Sequence, residues 1–495
     1  MQMPTPDAGV IASREAILAG LRAILRDDGV IGDAESLVAY ESDGLTAYRQ
    51  LPLAVALPRT TQQVAQILRF CKQRRIKVVA RGAGTSLSGG ALPLADGLIL
   101  GLARFNRILD IDYDNRTVTA QPGVTNLGIT EAVREQGFYY APDPSSQIAC
   151  SIGGNVAENS GGVHCLKYGL TTNNVLGVEL VTMEGEILRI GGKTLDAQGY
   201  DLLGIVNGSE GMLGVITEVT VRILPRPATA RAALLGFPSV ESAGQCVADI
   251  IGAGIIPAGM EMMDRLATQA AEDFLHIGYP LDAEAVLIVE ADGIAAECDE
   301  ILRRVEQIAR TNGANTCRIS NSEDERLRFW AGRKAAFPAT GRFSPDFYCM
   351  DGTIPRRELA RVLKAMQGMT EKYGLRVANV FHAGDGNLHP LVLYNANEPG
   401  QLERAEAFGA EILRLCVEVG GVLTGEHGVG VEKRDLMPEM FSEIDLAHQQ
   451  RLKCAFDPEL LLNPGKVFPQ LHRCAELGRV HVHRGQLPHP ELPRF

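Results

Sequence analysis

Two histidines and one glutamate lie in two glycine-bearing segments of the chain, and their side chains are of types that bind metal ions. His382 and His389 stand on either side of a Gly-Asp-Gly turn, so a hairpin there would bring the two imidazoles face to face. Glu426 lies in a later segment, residues 420–430, and a third imidazole, His427, follows it. Two histidines and one carboxylate suit a divalent metal with open coordination positions. The alternative, polar core side chains without a ligand, stays open on the sequence alone.

A short apolar strand, residues 78–80, runs directly into a glycine-rich stretch at residues 81–91. Glycine lacks a Cβ, so its backbone can adopt positive φ and bring successive N–H groups close to a diphosphate. The stretch is not a P-loop, because Gly89 is followed by glycine and alanine rather than by lysine and a hydroxyl residue. It also lacks the third glycine of a dinucleotide fingerprint, where Leu87 stands. The alternative is a glycine-rich turn without a ligand.

Two further loops, residues 140–162 and residues 208–217, are dense in Gly, Ser and Asn. They carry few charges, which favours backbone wrapped round a polar ligand over an ordinary solvated loop. An Ω-type surface loop is the alternative for residues 140–162. Three such loops in one predicted domain are harder to explain as turns than one, so together they favour a bound ligand.

The spacing of apolar residues predicts a β-α-β unit at the start of the first domain. Strands at residues 51–57 and 78–80 flank a helix that begins after the capping residues Thr60 and Thr61. A helical lead-in precedes this unit, at residues 11–48. The pattern then predicts a helix at residues 126–136 and strands at residues 98–102, 108–111, 117–121, 175–182, 186–190 and 214–224.

After residues 225–227, Pro-Arg-Pro, the pattern changes to longer helices that alternate with single strands. Proline cannot continue a central strand, so this segment marks a predicted domain boundary. The alternation favours a layered α+β domain whose sheet is covered by helices on one face. The predicted helices are residues 240–251, 260–275, 295–310, 356–372 and 402–419, and the predicted strands are residues 285–290, 376–381 and 388–394.

Composition excludes several classes of function. The net charge is −12 over 495 residues and no basic run occurs, so we expect no nucleic-acid partner. The ten cysteines include no CxxC pair, so we expect free thiols and no iron–sulfur cluster on this chain. No stretch of about 18 apolar residues occurs, and residues 1–10 lack the features of a secretory signal. We therefore expect a cytoplasmic protein without a membrane span.

Several motifs in combination resemble those of the vanillyl-alcohol-oxidase, or PCMH, type of FAD-binding oxidoreductase. They are residues 81–85, 142–146, 153–155, 208–211 and 463–466. The resemblance covers nearly the whole chain, and it implies an α+β fold. A two-part FAD-binding domain would be joined to an α+β cap domain, from which a C-terminal segment returns to the flavin. The implied bounds are a helical lead-in at 1–48, the FAD-binding domain at 49–227, the cap at 228–470 and a peripheral tail at 471–495.

The same resemblance implies a noncovalently bound FAD. The first glycine-rich stretch would hold the diphosphate, and the second and third loops the ribityl, isoalloxazine and adenosine parts. Asn463 and Lys466 would bring the C-terminal segment back to the flavin. The residues expected at the FAD are Arg81, Gly82, Ala83, Gly84, Thr85, Ser86, Gly89, Pro142, Asp143, Ser146, Gly153, Gly154, Asn155, Gly161, Gly211, Val215, Ile216, Asn463 and Lys466.

In related 2-hydroxyacid dehydrogenases the matching His, His and Glu bind a divalent metal, and the next His is the base. Carried over, the resemblance makes His382, His389 and Glu426 the ligands of a Zn, Mn or Fe ion, with His427 as the base. It also places Arg333 at the substrate carboxylate, which a planar guanidinium binds better than an ammonium does. A solvated helical arginine is the alternative. Some relatives carry a basic residue near residues 348–351, where this chain has none.

The resemblance implies oxidation of a small 2-hydroxyacid, glycolate to glyoxylate, with hydride transfer to flavin N5. No NAD fingerprint is present, so electrons are expected to leave through partner subunits. In glycolate-oxidising members of the family these are a second flavin-binding subunit and an iron–sulfur subunit, and they would carry the chain to the inner face of the cell membrane. The alternatives are a D-lactate or other D-2-hydroxyacid dehydrogenase, a flavin-binding relay subunit without its own turnover, and a flavin-free metal hydrolase.

Overall fold

The computed structural model describes residues 3–194 and 199–469, and the tail expected at residues 471–495 lies outside them. Within the described residues the strands form sheets of four, five, two and seven members. The mixture of helices with largely antiparallel sheets confirms the α+β prediction. All nine cysteines of the described part are free thiols, as expected, and Cys474 lies outside it.

The N-terminal helices and a four-stranded sheet form the first part of the fold. In chain order the elements are α1 (Ala8–Ala12), α2 (Arg14–Leu25), β1 (Val30–Ile31), α3 (Ala34–Leu37), β2 (Ala54–Ala56), α4 (Thr61–Gln73), β3 (Lys77–Arg81) and β4 (Gly97–Gly101). The strand order is β1-β2-β4-β3, and β2 and β3 both run parallel to β4. The predicted β-α-β unit is therefore present, but with a third strand inserted between its two strands.

Helix α4 forms for the reasons that its sequence suggests. Its N-cap is Thr60, whose hydroxyl accepts a hydrogen bond from the N–H of Gln63. Its apolar residues recur at helical spacing and are all buried against the sheet: Val64, Ile67, Leu68 and Cys71. The helix thereby fixes β3, the strand that leads into the first glycine-rich stretch.

A five-stranded antiparallel sheet and a two-stranded ribbon follow. Their elements are β5 (Ile108–Asp112), β6 (Thr117–Ala120), α5 (Asn126–Val133), β7 (Phe138–Tyr139), α6 (Ile152–Glu158), α7 (Cys165–Tyr168), α8 (Thr171–Asn174), β8 (Val175–Val181), β9 (Ile187–Gly191), α9 (Leu202–Val206), β10 (Val215–Arg222) and β11 (Leu224–Pro225). The larger sheet has the order β5-β6-β10-β8-β9, and β7 pairs with β11. The predicted strands of this region are confirmed within a few residues at each end.

The seven-stranded sheet organises the rest of the chain. Its region contains β12 (Thr229–Phe237), α10 (Val240–Gly252), β13 (Gly259–Asp264), α11 (Arg265–Leu275), β14 (Ala285–Gly293), α12 (Ala295–Thr311), β15 (Thr316–Ile319), α13 (Glu323–Ala339), β16 (Asp346–Cys349), α14 (Leu359–Tyr373), β17 (Val377–Phe381), β18 (Pro390–Tyr394), α15 (Gln401–Glu418), α16 (Met437–Met440) and α17 (Glu443–Phe456). The strand order is β15-β12-β14-β13-β17-β18-β16, and every pairing is antiparallel.

The prediction that helices cover one face of this sheet is wrong, because both faces are covered. Leu235 on β12 packs in a core with α10, α12, α14 and α15, whereas its neighbour Leu234 packs on the other face with α11 and α13. The predicted helix at 260–275 is also wrong in its first third, because residues 259–264 form β13. The sequence of β13, rich in Met, does not alternate between apolar and polar residues, because both faces of the strand are buried.

The C-terminal segment returns to the first glycine-rich stretch. The N–H of Val78 donates to the carbonyl of Leu461 at 2.8 Å, and the N–H of Asn463 donates to the carbonyl of Val78 at 2.7 Å. The segment thus extends the four-stranded sheet beside β3. The family resemblance implied that this segment returns to the FAD-binding domain, but not the sheet contact. Among the described helices, none combines the length and the apolar composition that crossing a membrane requires.

Candidate functional site

A cleft of about 390 Å³ lies where the three glycine-bearing loops meet helix α13 and the segment 420–430. From the second half of the chain it is lined by Lys334, Phe337, His389, Glu426 and His427, among others. Most of the residues expected at the FAD line the same cleft: Arg81, Gly82, Ala83, Gly84, Thr85, Ser86, Ser146, Gly153, Gly154, Asn155, Gly211 and Ile216.

The other residues expected at the FAD lie behind the lining of the cleft. Asp143 accepts hydrogen bonds from the backbone N–H of His164 at 3.1 Å and lies 2.8 Å from its Nδ1. Val215 is a fully buried core residue of β10. These residues support the wall of the cleft rather than face its space: Gly89, Pro142, Asp143, Gly161, Val215, Asn463 and Lys466.

The glycines of the first loop allow two backbone segments to approach closely. A Cβ at Gly82 would overlap Ser151 Oγ at the N-cap of α6, and Gly84 has a φ of +72°. Side chains are therefore excluded where the loop packs, and its backbone is presented to the cleft. Backbone donors beside Arg81 fit the diphosphate of a dinucleotide cofactor.

Lys466 and Asn463 connect the C-terminal segment to this loop by hydrogen bonds, on the side away from the cleft. Lys466 Nζ donates to the carbonyls of Gly90 at 2.8 Å and Leu92 at 2.7 Å, and to Asn463 Oδ1 at 2.6 Å. Asn463 Nδ2 donates to the carbonyl of Glu210 at 2.7 Å, in the third loop. Burial lowers the pKa of Lys466 to about 7. The two side chains therefore tie the first and third loops together.

The hairpin between β17 and β18 brings two predicted metal ligands together. The ring centroids of His382 and His389 are 4.9 Å apart, and the rings meet edge to face. Glu426 Oε1 lies 3.3 Å from His382 Nε2 and 2.9 Å from His389 Nε2. One carboxylate oxygen and two imidazole nitrogens thus converge on one point.

This donor set fits a divalent metal. One ligand atom from each of His382, His389 and Glu426 lies within 4.8 Å of the others, and all three residues are buried. His382 Nδ1 is 2.7 Å from Glu261 Oε1, and such outer carboxylates commonly orient metal-binding histidines. Burial opposes a charged His382, but Glu261 and Glu426 outweigh it and hold its pKa well above the usual value. A metal cation would take the place of that proton.

His427 lies beside this cluster and faces the cleft. Its ring stacks on His389 with centroids 5.0 Å apart, and its Nε2 is 3.9 Å from Glu426 Oε1. Burial lowers the pKa of His427 to about 4, against the opposing charge of Asp351. The imidazole is therefore neutral at neutral pH and has a lone pair available for a proton.

Asp351 is a functional residue that the sequence did not single out. It is fully buried and accepts hydrogen bonds from the backbone N–H groups of Glu426 at 2.8 Å and His427 at 2.7 Å. Those bonds go to Oδ2, which also lies 3.9 Å from His427 Nδ1, and the other carboxylate oxygen, Oδ1, accepts a hydrogen bond from Lys433. The available signal was a lone aspartate at the end of an apolar strand, before glycine.

Arg333 lies outside the lining of the cleft. It is 2% exposed on α13, and its Nη2 is 2.6 Å from Glu261 Oε2, the carboxylate that contacts His382. Arg333 Nε and Nη2 make no hydrogen bond of good geometry among the described residues. The next residue, Lys334, is the cation of α13 that lines the cleft, and the sequence did not single it out.

Comparison with known proteins identifies the class of protein to which the chain belongs. Residues 52–191 match the model of the FAD binding domain, and residues 226–467 match that of the C-terminal domain of FAD linked oxidases. The chain belongs to this family of FAD-linked oxidoreductases, and its cofactor is FAD. Over 482 residues it is 57% identical to the glycolate oxidase subunit GlcD of Escherichia coli (strain K12), covering 97% of each chain.

Two further comparisons bear on the fold and on the range of the family. The chain is 33% identical over 423 residues to a D-lactate dehydrogenase of Archaeoglobus fulgidus, covering 84% of this chain and 91% of the relative. The crystal structure of p-cresol methylhydroxylase with substrate bound superimposes with a TM-score of 0.79 at 18% identity, covering 94% of this chain and 98% of that one. The PCMH-type fold that the motifs implied is confirmed.

Proposed function

We propose that this chain is the catalytic subunit of an enzyme that oxidises glycolate to glyoxylate with FAD. The observation that carries the proposal is that the three glycine-bearing loops line the same cleft as His389 and Glu426, two of the three proposed metal ligands, and His427. A substrate held there would contact both the proton acceptor and the hydride acceptor. The 57% identity to a glycolate oxidase subunit over almost the whole chain supports glycolate as that substrate.

In this proposal His427 removes the proton from the hydroxyl group of the substrate. It is neutral, faces the cleft and lies beside the cluster of His389 and Glu426. Asp351 holds the backbone of His427, so that the ring meets the substrate in a fixed orientation. The FAD held by the glycine-bearing loops would supply the two-electron acceptor, at N5, for the α-hydrogen as hydride. A metal held by His382, His389 and Glu426 would supply a Lewis acid for the substrate oxygens.

Two cations of α13 are candidates for binding the carboxylate of the substrate. Lys334 lines the cleft. Arg333 is buried outside that lining and its Nη2 lies 2.6 Å from Glu261 Oε2, so it would reach a substrate only if this ion pair opened. We assign Arg333 to the carboxylate, with Lys334 as a second cation in the lining of the cleft. The pair would favour a small 2-hydroxyacid over the corresponding alcohol.

The electrons are proposed to leave through partner subunits. The named relative is a subunit of glycolate oxidase, which supports assembly into a complex. We propose a second flavin-binding subunit and an iron–sulfur subunit as the electron acceptors, because the cysteines of this chain include no group suited to a cluster. Contact with the inner face of the cell membrane would come through these partners.

A D-lactate dehydrogenase is the second candidate, because the chain is 33% identical to one. Steady-state reduction of an artificial dye by the FAD-loaded protein separates the two candidates. We expect a higher kcat/KM for glycolate than for D-lactate. A higher kcat/KM for D-lactate would identify the chain as a D-lactate dehydrogenase. If neither acid reduced the dye, the proposed catalytic role would be overturned.

A further inference from the structure

A second group of metal-binding side chains adjoins the first and shares one residue with it. One ligand atom from each of Cys349, His389 and His427 lies within 4.8 Å of the others. Cys349 is the last residue of β16 and is 4% exposed, and His389 is 2% exposed. This group contains a thiol in place of the carboxylate, so its preference for metal ions differs from that of the first group.

Each of the two histidines has one ring nitrogen without a hydrogen bond among the described residues. Nδ1 of His389 and Nδ1 of His427 are buried and make no hydrogen bond among the described residues. The Nε2 atom of each ring is the one that faces Glu426, at 2.9 Å for His389 and 3.9 Å for His427. A buried nitrogen without a partner loses its hydrogen bond with water and gains nothing in return. A neutral imidazole has one lone pair, so His389 would bind either this cation or the ion of the first group, and the two ions would compete for it.

The thiol of Cys349 is similarly available. In the part of the chain that the structure describes, this thiol donates one hydrogen bond, to the carbonyl of Met350, at a sulfur-to-oxygen distance of 3.5 Å. Burial, reinforced by Asp351 and Glu432, holds the pKa of this thiol well above its usual value, so the group stays protonated without a metal. Coordination of a cation would release that proton to solvent. Entry is open, because His389 and His427 line the cleft.

We propose that Cys349, His389 and His427 form an inhibitory site for a thiophilic divalent cation such as Zn²⁺ or Cd²⁺. One thiolate and two imidazoles are a common set for such ions, whereas Mg²⁺ and Ca²⁺ prefer oxygen. The ion would occupy a lone pair of His427 and so remove it as proton acceptor. The inhibition rests on the proposed function, but the binding does not.

Binding is tested by titrating the FAD-loaded full chain with Cd²⁺ in the absence of substrate, and recording thiolate-to-cadmium charge-transfer absorption in the ultraviolet. Cys349→Ser should lose one thiolate equivalent of this absorption. Cys246→Ser, which removes a fully buried thiol from α10, should keep it. Equal absorption in the wild type and in Cys349→Ser would overturn the site.

Inhibition is tested separately by dye reduction with glycolate at increasing Cd²⁺. Cys349→Ser should retain its activity without added Cd²⁺ and need at least about tenfold more Cd²⁺ for half-inhibition, because a ligand is lost. Unchanged sensitivity would overturn the inhibitory role. If glycolate fails as substrate, only this second test is affected, and the absorption test still decides the site.

A third measurement needs no variant, in case Cys349→Ser does not fold. A wild-type crystal soaked in Cd²⁺ should show an anomalous-scattering peak between Cys349, His389 and His427. Density at His382, His389 and Glu426 alone, without a peak at the thiol, would contradict the proposal.

Discussion

The carboxylate of Asp351 fixes the position of His427 through the backbone N–H of that residue. Asp351 accepts hydrogen bonds from three successive backbone N–H groups, those of Gly425, Glu426 and His427. A buried Lys433 donates to the same carboxyl group, so the pKa of Asp351 stays below its usual range despite burial. The backbone of Glu426, a proposed metal ligand, and that of its neighbour His427 are thus held by one anion.

The variant His427→Asn should reduce the rate of flavin reduction by glycolate by about 100-fold or more, because the proposed general base is lost. Its FAD content should stay normal, since the glycine-bearing loops are untouched. Anaerobic stopped-flow absorption measures both quantities. The control is His448→Asn, which changes an exposed histidine of α17. Normal flavin reduction in His427→Asn would remove the proposed role.

The variant Glu261→Gln should weaken metal binding by about 10- to 100-fold, because His382 loses the carboxylate that orients it. Metal retained against a chelator is the measurement. Glu290→Gln is a matched control: Glu290 is also buried, lies 3.2 Å from a histidine (His164) and pairs with an arginine. We expect Glu290→Gln to keep its metal. Equal loss from both variants would contradict the assignment.

At the residue scale the sequence predicted which side chains come together, but not which side chains support them. His382, His389 and Glu426 are of metal-binding types and stand beside glycines, so their convergence could be predicted, and their binding of a metal stays a prediction. Asp351 acts on backbone N–H groups more than 70 positions away, and no local pattern encodes that contact. The burial of Arg333 against Glu261 depends in the same way on how α13 packs on β13.

At the scale of elements, the first loop and helix α6 form one wall of the cleft. Ser151 caps α6 by accepting a hydrogen bond from the N–H of Gly154, and its Oγ fills the space beside Gly82. The first loop and α6 therefore approach each other closely at Gly82, which has no side chain. FAD binding should depend on that approach as much as on any charge.

Gly82→Ala should weaken FAD binding by about tenfold or more, since the new methyl group overlaps Ser151 and displaces the loop. Fluorescence titration of the apoprotein with FAD measures the affinity. Adding Ser151→Ala should recover part of the loss, at the expense of the cap of α6. If the double variant binds FAD no better than Gly82→Ala, the overlap is not the cause.

Helices and strands whose apolar residues repeat at regular spacing were predicted correctly, whereas β13 was predicted as part of a helix. Helices such as α4 expose one face, so their apolar residues repeat at helical spacing. Residues 260–263 are buried on both faces of the seven-stranded sheet, and Met and Glu also favour helices. The identity of a doubly covered strand is decided by its neighbours, and these come from distant parts of the chain.

At the scale of the whole molecule, the cleft joins distant parts of the sequence. The segment after α17 pairs with β3, and Lys466 and Asn463 tie it to the first and third loops. The return of the C-terminal segment to the first loop was predicted only through the family resemblance. A local sequence pattern does not show which part of the fold a terminal segment contacts. The site is therefore a property of the complete fold.

The stability of the molecule should depend on Asp264, which caps α11 and accepts hydrogen bonds from Asn379. Burial raises the pKa of Asp264 to about 6, above the unfolded value of 3.8. The folded state therefore holds this proton more tightly, and stability falls as pH rises from about 4 to 6. Relative to the wild type, Asp264→Asn should gain roughly 2 kcal/mol across that interval.

Urea unfolding at a series of pH values measures this difference. Asp282→Asn, at an exposed position in the loop before β14, serves as the control and should follow the wild type at each pH. A difference between Asp264→Asn and the wild type that does not change with pH would contradict the raised pKa.

The central claim is that one cleft holds both FAD and a small 2-hydroxyacid. The most direct test is the anaerobic absorption spectrum of the purified chain before and after addition of glycolate, and then of D-lactate. We predict a yellow protein whose flavin band is bleached by glycolate. A yellow protein bleached by neither acid would contradict the catalytic assignment, and a colourless protein that takes up no FAD would contradict the cleft itself.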